Sequence, residues 1–283
     1  MTGKVYIAGA GPGSIDLLTV KTQRLIDAAD VILYDSLTGD EIIETFPSPT
    51  IVIDVGKKPG PNGRRRIQDE INELLVEHAR QGDIVLRLKG GDPTIFGRGG
   101  EEAEYLARNH VPFEIVPGVS SIAAAPGVVG IPVTHRDHSS SITIVPGYED
   151  PTKTESAIDW SALAQTIRAG GTLLILMGVG RLADNVAALR REGLSSTVPV
   201  AMIERATWSE EQTIVGSLGT IVDRAEAADI QPPAMTVVGD VVETRETISE
   251  FLHRDSVNVD ISRPVEHLPP VNPIREIRAE ISD

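Results

Sequence analysis

The sequence predicts an α/β protein of two domains, a mostly parallel sheet in the N-terminal one and a mixed sheet in the C-terminal one. Three observations lead there. Short apolar runs alternate with helix-period segments through the first 130 residues or so. Five further apolar runs follow in the second half, two of them with no helical segment between. A chain of 283 residues also exceeds the ~100–200 typical of one domain. Strands interleaved with helices build a parallel sheet covered on both faces, whereas strands in direct succession pair as hairpins.

In the first half the strand-like runs are 5–8, 31–34, 51–53, 84–88 and 113–116. Between the third and fourth, IQDEINELLVEHARQG places Ile67, Ile71, Leu74, Leu75 and His78 at helical spacing, and Gly82 supplies the stop. A glycine cluster at 97–100 opens the next helix. The stretch IPVTHRDHSSS is polar and irregular, and the domain boundary is set there. Strands are then expected at 141–145, 172–177, 198–203, 212–218 and 234–239, with helices near 162–168, 182–191 and 221–227. The pair 198–203 and 212–218 reads as a hairpin-like element. The expected domains are therefore 1–135 and 136–254, followed by a proline-containing tail, 255–283, that is loosely ordered up to a short periodic end, IREIRAEI.

Composition narrows the function. The chain has no cysteine, which excludes a disulfide scaffold, a thiolate nucleophile and cysteine-ligated zinc. A net charge of −15 argues against nucleic acid, which calls for a basic face. No apolar run approaches the ~20 residues a bilayer requires, so a soluble, cytoplasmic protein is expected. Six lysines against 20 arginines on an acidic chain suit high salt. Charge is uneven: residues 57–98 carry +3, and this basic island is either a site for an anionic small ligand or a solvated face. His135 and His138, only three apart, are not expected to make a metal site.

Two glycine-rich turns carry the chemistry. VYIAGAGPGS ends a strand with Gly9, Gly11 and Gly13, close to a dinucleotide loop, and Asp35 ends the next strand where a ribose-binding acid would sit. The pattern is loose, however: the sixth position is Ser14, and Pro12 has no N–H to offer a pyrophosphate. A second turn, LRLKGGDPTIFGRGGEE, again follows a strand, with Gly90 and Gly91 allowing close backbone approach and Asp92 offering a carboxylate. Two such tips in one sheet are expected to form two walls of one cleft, suited to a compact ligand without phosphates.

VYIAGAGPG, ADVILYDSL, VGKKPG, RLKGGDPTIFGRGGEE, PGVSS, GIPVTHR, MG (177–178), ERAT (204–207) and PPAMTVVGDVV occur in that order. The ordered set resembles the tetrapyrrole methylases over about residues 4–252. The resemblance implies a homodimer of two-domain α/β chains that binds S-adenosyl-L-methionine in an inter-domain cleft and releases S-adenosyl-L-homocysteine. The implied activity is methylation of uroporphyrinogen III at carbons 2 and 7, an early step of siroheme and cobalamin synthesis, with a later precorrin as the alternative substrate.

Carried over by resemblance, Pro12, Gly90, Gly91, Asp92, Ile95, Ser120 and Ser121 contact the cofactor from the first domain, and Met177 and Ala206 flank its adenine from the second. Each has a plainer reading: Pro12 as a helix-start proline, Ser120 as a helix N-cap, Met177 as core. Asp35 and Lys57 match the proton acceptor and donor, though Asp35 equally suits orienting the substrate or capping its own turn. Lys57, Arg64, Arg65, Arg66 and Arg136 are the candidates for the eight carboxylates of the substrate, arginine's planar fork suiting such groups. Three features depart from the family pattern: Thr94 where an aromatic is usual, the long loop PGPNGRRR, and the tail.

Overall fold

In the computed structural model, which describes residues 3–56, 68–149 and 157–252, two five-stranded sheets carry the fold. The first half runs β1 (Lys4–Gly9), α1 (Val20–Ala28), β2 (Val31–Tyr34), α2 (Asp40–Ile43), β3 (Ile51–Asp54), α3 (Gln68–Gln81), β4 (Ile84–Lys89), α4 (Gly99–Arg108), β5 (Phe113–Val116) and α5 (Ser121–Val128). Every pairing in its sheet is parallel, in the order β3-β2-β4-β1-β5. Both faces are covered. Val5, Ile7, Leu33 and Val85 pack with α3 and α4 through Ile71, Leu75 and Leu106, while Tyr6, Ala8, Ile32, Leu86 and Leu88 lie against Leu25 and Ile26 of α1. The alternation along β1 is what a strand buried on two sides demands. Gly82 closes α3 at φ +97°, a conformation that costs a glycine no Cβ clash.

Strand order bears on function. In a dinucleotide-binding sheet the first two strands are neighbours. Here β4 lies between β2 and β1, so the two glycine-bearing tips, those of β1 and β4, are side by side.

The second half runs β6 (Ile142–Pro146), α6 (Trp160–Arg168), β7 (Thr172–Leu176), α7 (Leu182–Arg191), β8 (Pro199–Glu204), β9 (Gln212–Ser217), α8 (Ile221–Ala227), β10 (Ala234–Val238) and α9 (Thr244–Ser249). Its sheet, β6-β7-β10-β8-β9, is mixed: β6 and β7 are parallel, and the other pairings are antiparallel. The expected hairpin is β8–β9. One face is packed by α6, α7 and α8 through Leu163, Ile167, Leu189 and Ile221. The other receives Ala125, Val129 and Ile131, from α5 and the residues after it, against Leu174, Ala201, Ile203, Met235 and Val237. Thus α5 leaves the tip of β5 and packs on the second sheet. Beyond offering Ser120 as a helix N-cap, the sequence reading drew no helix here, because SIAAAPGV is apolar on every side and shows no period.

The expected tail, 255–283, lies outside the described residues, as do Lys57, Arg64, Arg65 and Arg66. Among the described residues no helix is long and apolar enough to cross a membrane.

Candidate active site

At the carboxyl ends of β1, β4 and β5 three glycines make backbone-to-backbone contact. A Cβ on Gly9 would stand 2.4 Å from the Gly91 carbonyl oxygen and 2.6 Å from Gly118 Cα; one on Gly118 would meet the Gly91 oxygen at 2.3 Å. Gly11 and Gly91 then exchange two hydrogen bonds, Gly11 N–H to Gly91 O at 3.2 Å and Gly91 N–H to Gly11 O at 2.6 Å. This changes the picture drawn from the sequence. The two tips are not facing walls with space between; they are stitched into one wall.

The same bonds decide the ligand class. Ala10 N–H donates to Lys89 O, Gly90 N–H to the Asp35 carboxylate, Gly118 N–H to Asp92, and Ser14 N–H to the Thr207 hydroxyl. A pyrophosphate site needs free N–H groups or an abutting helix N-terminus. Here the N–H groups of Ala10, Gly11 and Ser14 are spent internally, Pro12 has none, and α1 begins only at Val20, capped by Thr19. The dinucleotide reading of Gly9–Gly13 therefore fails on geometry.

Asp92 holds the wall to the β5–α5 loop. Its Oδ1 accepts from Thr94 N–H (2.8 Å) and from the Thr94 hydroxyl (2.5 Å), and its Oδ2 from Gly118 N–H (3.1 Å). Burial works against its charge, yet the Thr94 hydroxyl and N–H and the Gly118 N–H outweigh it and hold the carboxyl below the usual carboxylate range. The Thr94 hydroxyl thus makes a bond to Asp92 that an apolar side chain at this position would not. A carboxylate offers about four lone-pair directions, so Oδ2 keeps one for a hydroxyl or ammonium group. Ile95 N–H donates back to Asp92 O at 3.3 Å. Ser120 caps α5, accepting from Ile122 N–H at 3.4 Å, so its plainer reading holds in the structure. Ser121 opens that helix, and its nitrogen, 3.8 Å away, is the nearest atom to a Cβ on Gly91. Open space therefore lies beside Gly91, at φ +67°.

Asp35 stands at the tip of β2, a quarter exposed. Its Oδ1 accepts from Leu37 N–H at 3.0 Å, both oxygens lie 3.3 Å from Gly90 N, and the Arg87 guanidinium is 4.0 Å from Oδ2. It caps its own turn and ties that turn to the glycine wall.

The second sheet brings its part by register. Met235 of β10 pairs with Leu176 on one side and Ile203 on the other, and Ala234 pairs with Glu204. Met177 and Ala206, just beyond β7 and β8, therefore sit at the same end of that sheet. Met177 is 46% exposed at φ +56°, not core, while Ala206 is buried. This end meets the β1 turn through Trp208, whose indole N–H donates to Pro12 O at 2.9 Å. Pro12 is no helix start, since the 3-10 turn at Ile15–Leu17 is capped by Ser14. Trp208 was missed in the sequence, although it directly follows the ERAT motif and is one of only two tryptophans.

The basic island is also corrected in part. Arg87 and Lys89, alternate residues of β4, are buried, and both bond Glu102 Oε1 of α4, at 3.1 and 3.0 Å; Gln68 donates to the same atom at 3.1 Å. Burial, with Arg87 beside it, holds the Lys89 amine below its usual value, Glu102 opposing. Burial likewise resists the charge on Glu102, yet Arg87 and Lys89 keep its carboxyl low. Arg98 pairs with Glu101. Arg87 and Lys89 are thus structural, the Arg98–Glu101 pair lies exposed, and Lys57 and Arg64–Arg66 lie outside the described residues. Arg136 stands exposed in the turn between His135 and Ser139.

The site accommodates S-adenosylmethionine on its own features: Ala10, Gly11 and Ser14 N–H groups already bonded within the protein, an open glycine at 91, a spare Asp92 lone pair, and exposed apolar side chains in Leu37 and Met177. Comparison with known proteins agrees. The family model for Tetrapyrrole (Corrin/Porphyrin) Methylases matches residues 4–222. An S-adenosyl-L-methionine-dependent uroporphyrinogen III methyltransferase from Methanosarcina barkeri is 49% identical over 88% of this chain and 95% of its own. A uroporphyrinogen-III C-methyltransferase from Priestia megaterium is 46% identical over 85% of this chain and 98% of its own. The crystal structure of a uroporphyrin-III C-methyl transferase from Thermus thermophilus complexed with S-adenyl homocysteine superposes with a TM-score of 0.71 at 37% identity, covering 85% of this chain and 99% of that one. With its parallel and mixed sheets, its glycine-stitched wall and these matches along its length, the chain belongs to the tetrapyrrole methylase family.

Proposed function

We propose that this chain is an S-adenosylmethionine-dependent C-methyltransferase that methylates uroporphyrinogen III at carbons 2 and 7, giving precorrin-2 for siroheme and cobalamin synthesis. The observation that carries this reading is the wall made by Gly9, Gly11, Gly91 and Gly118, its Gly11 and Gly91 N–H groups bonded to each other's carbonyls and space left open beside Gly91. Relatives at 46–49% identity that bear this activity in their names support it.

When bound, S-adenosylmethionine supplies an electrophilic methyl group on sulfur. The chain's own residues do the rest. Gly90, Gly91 and Asp92 take the amino-acid and ribose portions, with Pro12, Ile95, Ser120 and Ser121 around them, and Met177 and Ala206 hold the adenine. This fixes the direction of the methyl group, and such positioning is a large part of what a displacement requires. Asp35, tied to Gly90 N–H, either receives the proton the substrate carbon loses or orients the macrocycle, and Lys57 is the matching donor. Arg64, Arg65, Arg66 and Arg136 take substrate carboxylates. In this reading the domains divide at 135/136, α5 of the first packing on the sheet of the second, and the tail starts at 255. The enzyme works as a cytoplasmic homodimer, which sedimentation at micromolar concentration checks.

The test is a mass spectrum after incubating the purified chain with reduced uroporphyrinogen III and S-adenosylmethionine. Two added methyl groups are expected. Unmodified substrate, alongside methylation of a later precorrin, would overturn the assignment.

A further inference from the structure

We propose that Trp208 is a positioning residue for the cofactor: its indole fastens the turn carrying Pro12 to the turn carrying Ala206, so that one side chain sets both halves of the site. The inference rests on the cofactor assignment made above and goes beyond it in naming what holds the two halves in register.

Four observations converge on this side chain. Its Nε1–H donates to Pro12 O at 2.9 Å, from 196 residues away in sequence. A Cβ on Gly13 would stand 1.7 Å from that nitrogen, so the ring occupies the space which the glycine leaves. On the opposite side, a Cβ on Gly39 would meet Gly13 O at 2.2 Å, so the β1 turn is boxed between the indole and the segment after Asp35. Next to the indole, Ser14 N–H donates to the Thr207 hydroxyl at 3.3 Å, a second bond between the same two turns.

The β8–β9 turn is strained for this purpose. Arg205 at φ +45° and Thr207 at φ +72° both lie in the left-handed region, where a β-branched residue is a genuine outlier. Local bonds keep them there: Trp208 N–H donates to Arg205 O at 2.9 Å, and Thr207 N–H to Glu211 Oε2 at 2.9 Å. Strain of this kind persists where the surroundings over-determine it, and it gathers at binding sites. Its product here is an indole aimed at Pro12, with Ala206 buried two residues before it.

A Trp208→Phe variant keeps an aromatic ring and loses the N–H. One neutral hydrogen bond is removed, so S-adenosylhomocysteine should bind about three- to tenfold more weakly by calorimetry. The KM for S-adenosylmethionine should rise by a similar factor with kcat within about twofold, the mark of lost ground-state binding rather than of general damage. A second variant, Trp160→Phe, leaves Trp208 as the sole tryptophan. Its emission should change saturably with S-adenosylhomocysteine, at a midpoint matching calorimetry. Trp208→Phe binding as tightly as wild type, or emission indifferent to saturating ligand, overturns the inference. Should Trp208→Phe fail to fold, the Trp160→Phe titration decides alone. Wild type that does not bind S-adenosylhomocysteine sinks the cofactor reading itself, and this inference with it.

Discussion

Replacing Glu102 by glutamine takes one negative charge out of a site that solvent does not reach. Glu102 is fully buried, with Arg87 4% and Lys89 2% exposed. The glutamine carbonyl keeps an acceptor where Oε1 now takes bonds from Arg87, Lys89 and Gln68. Were these ordinary hydrogen bonds, the change would cost only about 1 kcal/mol. Removing the charge opposite buried cations is another matter and costs about 3–5 kcal/mol. Arg87 is the better insured, with Leu88 O at 3.1 Å and Asp35 at 4.0 Å, so most of the loss falls on Lys89.

That makes the deficit pH-dependent, with a definite sign. Burial, with Arg87 beside it, already holds Lys89 below the ordinary lysine value, and losing Glu102 lowers it further. A base whose folded value lies below its unfolded one binds fewer protons when folded. Stability therefore rises with pH between the two values. Urea unfolding of Glu102→Gln should show a loss of about 3–5 kcal/mol near neutrality that narrows in alkali without closing, since Arg87 keeps its charge. A loss under about 1 kcal/mol, or one that is flat with pH up to that of the unfolded amine, would refute the electrostatic reasoning.

Two further outcomes follow from the site. Asp92→Asn sets amide hydrogens among the N–H and O–H donors of Thr94 and Gly118, and should cost about 1.5–3 kcal/mol in unfolding experiments near neutrality. Because the Asp92 carboxyl is depressed, the stability it adds is present above its unfolded value and lost as pH falls through the folded one, so the variant should be less acid-sensitive than wild type. Met177→Ala removes an exposed side chain, so the melting temperature should hold, while calorimetry should show S-adenosylhomocysteine binding weakened about fivefold through lost apolar contact. Unchanged affinity would remove Met177 from the site.

Legibility followed the range of the interactions. The five strands of the first half were readable because burial on both faces leaves continuous apolar runs such as Val31–Leu33. Helices α7 and α8 were readable from one-sided periodicity. Helix α5 was not, since a segment apolar on every side has no polar face to set a period. The chemistry of Arg87 and Lys89 was misread for a related reason. Their neutralising partner is Glu102, 13 residues beyond Lys89, and only the packing of α4 on β4 shows that the cluster faces inward. Ser120 was readable both as cap and as cofactor contact, and its geometry shows the cap.

By itself the sequence determined which segments are strands and helices, that one sheet is parallel and the other mixed, and which family the chain resembles, because each of these is written in local periodicity or in an ordered set of motifs. The tertiary structure alone decided that β4 inserts between β2 and β1, that Gly9, Gly91 and Gly118 close into one wall, and that Trp208 reaches across to Pro12. These are contacts between residues 27 to 196 positions apart, and no local pattern encodes them; they exist only once strand order brings the backbone tips within hydrogen-bonding distance.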